Sequence, residues 1–119
     1  MASNDMQVLM YKILKYLYEC MKHGIDPKVE DFSWDSKLIQ VPKSYWMEII
    51  AELTAGGYIK GFSITRTKDI RLHIQTEPPI KITYNGVCFL DENSGMQKAK
   101  KFCSETFNVV LSSVLGVII

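Results

Sequence analysis

The sequence predicts an α+β fold, a winged helix-turn-helix with a β-hairpin wing and an added C-terminal helix. Three observations carry this expectation. Two amphipathic patterns of helical period, from Met6 to Lys22 and from about Lys43 to Leu53, flank a short helical stretch. A β-rich run from Tyr58 to Ile74 is interrupted by the polar Thr67, Lys68 and Asp69. Helical periodicity then returns after Thr83 and ends in a strongly apolar segment. Helix, short helix, helix, hairpin and short helix in that order spell the winged architecture, and a long helix follows. The expected division is a winged-helix domain over residues 1–93 and a packing or dimerisation helix over residues 94–119.

In the first helix Met10, Ile13, Leu14, Leu17 and Met21 recur on one face, with Lys12, Lys15, Glu19 and Lys22 between them. His23-Gly24 ends it, since glycine supplies the left-handed residue favoured at helix ends and Pro27 follows. Pro27 opens a short helix through Phe32, after which Trp34, Leu38 and Ile39 lack a period and read as a loop. The third helix starts near Pro42 or Lys43, with Trp46, Ile49, Ile50 and Leu53 inward, and stops at Gly56-Gly57. Strands follow over Tyr58 to Arg66 and Ile70 to Ile74. Glu77, Pro78 and Pro79 are expected to close the second, because proline donates no ladder hydrogen bond. Thr83 caps a helix to about Leu90, which Gly86 weakens by about 1 kcal/mol relative to alanine. Ser94 is expected to cap one long final helix with a seam of Met96, Ala99, Cys103, Phe107, Val110, Val114 and Val117.

The 119 residues, 47% hydrophobic and 23% charged, suit a single domain with a true core and exclude a disordered or collagen-like chain. A net charge of +1 announces no nucleic-acid or acidic partner, so electrostatic arguments rest on local patches. Three dispersed cysteines, Cys20, Cys88 and Cys103, suit a reducing compartment and buried thiols. MASNDMQ lacks the basic start of a secretory signal, and the longest apolar run, VVLSSVLGVII, is about half of the roughly 20 residues a membrane span needs. A cytoplasmic protein without membrane association is expected.

The run IIAELTAGGYIKG (Ile49 to Gly61) resembles the recognition-helix-to-strand junction of winged-helix proteins. ITYNGVCFL (Ile82 to Leu90) resembles the helix that follows their wing. Its continuation LDENSGMQKAKKF, with YKILKYLYE near the start, narrows the resemblance to the YjcQ family of small bacterial and prophage-encoded proteins. The resemblance covers nearly the whole chain and implies an architecture rather than an activity.

Double-stranded DNA is the partner the hairpin charges suggest. From Lys60 to Lys81 the cations Lys60, Arg66, Lys68, Arg71 and Lys81 outnumber Asp69 and Glu77. In this reading Lys43, Ser44 and Tyr45 approach the groove, and Arg66, Lys68 and Arg71 grip the flanking backbone. Against it, Glu48 and Glu52 face phosphate unfavourably and the reading helix has no Arg, Asn or Gln for base edges. Lys98, Lys100 and Lys101 are either further phosphate contacts or a solvated face. The alternative is a protein-interaction module on the same scaffold.

The final apolar segment needs a cover. It folds back over the first helix, or it pairs with a second copy to make a homodimer through Phe107, Val110, Leu111 and Val114. No catalytic motif, phosphate-binding glycine loop, metal-ligand spacing or cofactor fingerprint is present, so no enzyme, metal or cofactor is expected. His23 and His73 read as structural or solvent-facing. Tyr11, Tyr16, Tyr18 and Trp46 read as core or contact residues rather than a base-stacking platform.

Overall fold

Apolar residues on most of its circumference make α1 (Met6–His23) the axis of the molecule. Val8, Leu9, Tyr11, Ile13, Leu14, Tyr16, Leu17 and Cys20 are all buried, whereas Met21, expected on the apolar face, is exposed. The computed structural model describes residues 1–69, 71–103 and 105–119. Gly24, at φ 66°, closes α1 as expected. Its N–H bonds back to Met21 and that of Ile25 to Cys20, the paired bonds of a Schellman cap.

Tyr16 ties α1 to the four-residue α2 (Val29–Phe32): its hydroxyl donates to Asp31 at 2.8 Å and accepts the Lys28 N–H at 3.1 Å. Phe32 is an aromatic hub, with ring centroids 5.3 Å from Tyr16, 6.5 Å from Trp46 and 6.3 Å from Phe62. The Trp46 indole N–H donates to the Phe32 carbonyl at 2.9 Å. That bond fixes α3 (Lys43–Ala55), on which Trp46, Ile49, Ile50 and Leu53 are buried as the sequence predicts. Gly57, at φ 74°, turns the chain out of α3.

The hairpin is longer than the sequence suggests. β1 (Ile59–Arg66) pairs antiparallel with β2 (Leu72–Ile82), from Arg66 opposite Leu72 to Ile59 opposite Ile82. Pro78 and Pro79 do not end the second strand. The register breaks between Lys60, opposite Lys81, and Phe62, opposite Thr76, so Glu77, Pro78, Pro79 and Ile80 bulge against Gly61 alone. Prolines in a bulge owe the ladder no N–H, which removes the reason to expect a stop. Gly61 is required there: a Cβ on it would lie 2.6 Å from the Ile80 Cα. Ile70, the predicted start of this strand, lies outside the described residues.

Thr83 caps α4 (Tyr84–Glu92), its hydroxyl accepting the Gly86 N–H at 3.0 Å while donating to the Gly57 carbonyl. It thus joins the α3 turn to the helix after the hairpin. Thr83→Ala is expected to lower stability by about 1–2 kcal/mol and Thr83→Ser to restore most of it, read as the midpoint of urea unfolding. Equal midpoints for wild type and the alanine variant would refute the cap.

The single long final helix is not observed. α5 (Ser94–Phe102) ends at Cys103, whose ψ of 87° is not helical, and α6 (Glu105–Leu115) follows; Ser104 lies outside the described residues. Nor does Ser94 cap α5, because the Asn93 side chain accepts the Met96 N–H at 3.1 Å. The interruption lets Phe107 and Leu111 enter the same core as Met96 and Ala99, so one hydrophobic cluster runs from Val8 to Leu111. Burying those rings and methyls in the chain's own core outweighs the few hydrogen bonds a continuous helix would add. Among the described residues, six helices and one antiparallel hairpin make an α+β fold compatible with a winged helix. No helix of the described residues is long and apolar enough to cross a membrane.

Candidate nucleic-acid interface

The start of α3 and the hairpin border one open groove of about 340 Å³, with Lys43 and Met47 on one side and Leu72, His73 and Ile74 on the other. Lys43 and Ser44 are exposed, and no acidic residue occupies the first turn of α3, so the positive end of its dipole is uncompensated. Lys43 leans over the indole of Trp34, its ammonium 4.9 Å from the ring centroid. Tyr45 differs from the other two. It is half-buried, and its hydroxyl donates to the Asn4 carbonyl at 2.8 Å. Burial, and secondarily Asp5, raises its phenol above the ordinary value.

Arg66 meets an unexpected partner, Glu48 of α3, at 3.1 Å. Helical spacing could not reveal this pair, since its members belong to different elements and meet only when the hairpin packs on α3. It also answers part of the electrostatic objection to Glu48. The pair is about half exposed on both sides, so it holds at most about 1 kcal/mol, and a phosphate can draw Arg66 away at small cost. Arg71 pairs with Asp69 at 3.3 Å at the exposed tip, where Lys68 is also exposed. Arg66 and Glu52 line a second hollow, with Ile64 and Leu72, beside the later turns of α3 and apart from the Lys43 groove; α3 and the hairpin together carry Lys43, Arg66, Lys68 and Arg71 against Glu48, Glu52 and Asp69. His73 lines the same groove as Lys43.

The residues expected to pair two copies fall in two groups. Phe107 and Leu111 lie in the chain's own core, Phe107 against Tyr11 with ring centroids 5.9 Å apart. Val110 and Val114 are half-buried at its edge, and Val109 beside them is 67% exposed. Lys98, Lys100 and Lys101 are exposed on α5, away from α3 in sequence and packed with α1 and α4 rather than the hairpin.

Two thiols are poorly suited to nucleophilic chemistry. Burial pushes Cys20 up to about 11 and raises Cys103 as well, so little thiolate forms near neutral pH. Among the described residues, no three His, Cys, Asp or Glu side chains converge as metal ligands would.

Neither curated protein sequences nor solved structures give a match to the chain. The sequence profile described as YjcQ protein matches residues 11–106, from the first helix through the hairpin to the start of α6. That span holds most of the core and the whole α3–hairpin face, and on it the chain belongs to the YjcQ family.

Proposed function

We propose that this is a winged helix-turn-helix protein that binds double-stranded DNA, with α3 entering the groove and the β1–β2 hairpin as the wing. One observation carries the reading. The exposed start of α3, with Lys43 and Ser44, lies beside the hairpin that carries the exposed cations Arg66, Lys68 and Arg71: Lys43 lines the groove between the two elements, and Arg66 reaches Glu48 in the middle of α3. Such side chains position a protein on phosphates. α3 offers no Arg, Asn or Gln to base edges, so binding is driven by backbone charge and is weakly selective for sequence. The protein acts as a non-enzymatic regulator in the cytoplasm of a bacterium or its prophage. It self-associates through the exposed side of α6, where Val109 continues the edge formed by Val110 and Val114.

Titration of a fluorescent mixed-sequence duplex at low salt is expected to show micromolar binding that weakens steeply as salt rises. Arg66→Glu abolishes it, and Glu48→Gln tightens it several-fold by removing a carboxylate that competes with phosphate. Absence of salt-sensitive binding at micromolar concentrations would sink the reading. A protein-interaction module is the second reading, favoured by the commitment of both hairpin arginines to carboxylates. It predicts a protein complex that survives Arg66→Glu and no affinity for the duplex.

A further inference from the structure

One stripe of α1 begins at the core residue Tyr11 and continues along a polar side that neither the core nor the α3 face uses. Tyr11, Lys15, Tyr18 and Lys22 follow one another at steps of four, three and four, which places them on one side of a helix. They line a polar pocket of about 260 Å³ with Lys100 and Gln97 of α5, completed by Leu90 and Asp91 at the end of α4. Two of its lysines are held in place. Glu19, almost wholly buried, accepts Lys15 and Lys22 on the same oxygen, each at 2.8 Å, and the Lys22 ammonium lies 4.5 Å from the centroid of the Tyr18 ring.

From this arrangement the geometry points to a binding site for a small phosphate-bearing anion, gripped by Lys15, Lys22 and Lys100 between α1 and α5. Three ammonium groups face two carboxylates, Glu19 and Asp91, leaving one positive charge for a ligand to neutralise. Burial works to raise the Glu19 carboxyl, but its hydrogen bonds and charge contacts with Lys15 and Lys22 outweigh that and lower it, so it stays ionised and keeps both lysines ordered. Ordering done in advance lessens what an anion must immobilise when it binds. Gln97 supports the same end: its amide donates to the carbonyls of Leu90 at 3.1 Å and Asp91 at 2.7 Å. Those are two of the last four carbonyls of α4, whose negative partial charge would otherwise repel an anion. Drug-sized ligands occupy clefts from about 300 Å³ upward, so this smaller pocket suits a phosphate group with a short or solvent-directed tail.

The site is independent of the α3 face, and its test separates the two. Calorimetric titration of the full chain with inorganic phosphate, adenosine monophosphate and adenosine, in a low-salt buffer without phosphate, is expected to show saturable binding of the first two and none of adenosine. Monophosphate binding that exceeds inorganic phosphate binding identifies a phosphate ester as the ligand, and equal binding identifies the free ion. Lys100→Gln, at an exposed position, weakens the affinity about tenfold, the size of one charge-assisted hydrogen bond, and Asp91→Asn strengthens it. Arg66→Glu leaves it unchanged. No saturable phosphate binding, adenosine binding as tight as the monophosphate, indifference to Lys100→Gln, or loss on Arg66→Glu would each overturn the site.

Discussion

Gly86→Ala is expected to destabilise the protein by about 3 kcal/mol or more, although helix propensity alone predicts a gain of about 1 kcal/mol. The sign reverses because α4 is laid directly on the turn leading into β1. A Cβ at residue 86 would stand 2.1 Å from the Tyr58 carbonyl oxygen and 2.7 Å from Cγ1 of Ile82. The first is backbone and cannot rotate away. That carbonyl also accepts the Thr83 N–H at 3.0 Å, so moving it breaks a bond at the cap of the same helix. Thermal unfolding should show a midpoint lowered by about 10 °C, given the few degrees that each kcal/mol shifts a domain of this size. A midpoint equal to wild type would mean that α4 does not lie this close to the strand.

Phe107→Ala is expected to cost about 3–5 kcal/mol, and the loss should not depend on protein concentration. Phe107 fills the space between α6 and α1, where its ring meets Tyr11 and lies 5.9 Å from the Lys12 ammonium. Leu111 is buried one turn later. Were these residues the seam between two copies instead, the difference between wild type and variant would shrink on dilution. Val109→Ala is the companion measurement. Its side chain is exposed, so unfolding of the single chain should move by less than about 0.5 kcal/mol while the mass seen by light scattering falls toward the monomer. A strictly monomeric wild type at high micromolar concentration would contradict self-association, whatever Phe107→Ala does to stability.

Period and punctuation made much of the fold readable. Met6 begins a helix that Gly24 ends, and Trp46, Ile49, Ile50 and Leu53 point inward at helical steps. Thr83 caps the helix that its spacing announced. Reading failed where the deciding partner is distant in sequence. Pro78 and Pro79 looked like a strand end because a register shift against Gly61 leaves no local mark. The final helix looked continuous because its apolar steps run on through Cys103, yet burial of Phe107 against Tyr11 bends the path. At the candidate interface, Lys43, Ser44, Arg66, Lys68 and Arg71 could be nominated as charges and donors. The bond from Tyr45 to Asn4 and the Arg66–Glu48 pair lay beyond any spacing rule.

Local chemistry by itself determined the order of helices and strands, the apolar faces of α1 and α3 and where Gly24 and Gly57 turn the chain, since backbone conformation and amphipathic period depend on near neighbours. Only the packed structure decided what covers the apolar tail, which arginine meets which carboxylate, and that Gly86 is a steric necessity rather than a weakness. Those outcomes rest on contacts between residues tens of positions apart, whose energies arise once the chain has closed on itself and water has left the space between them.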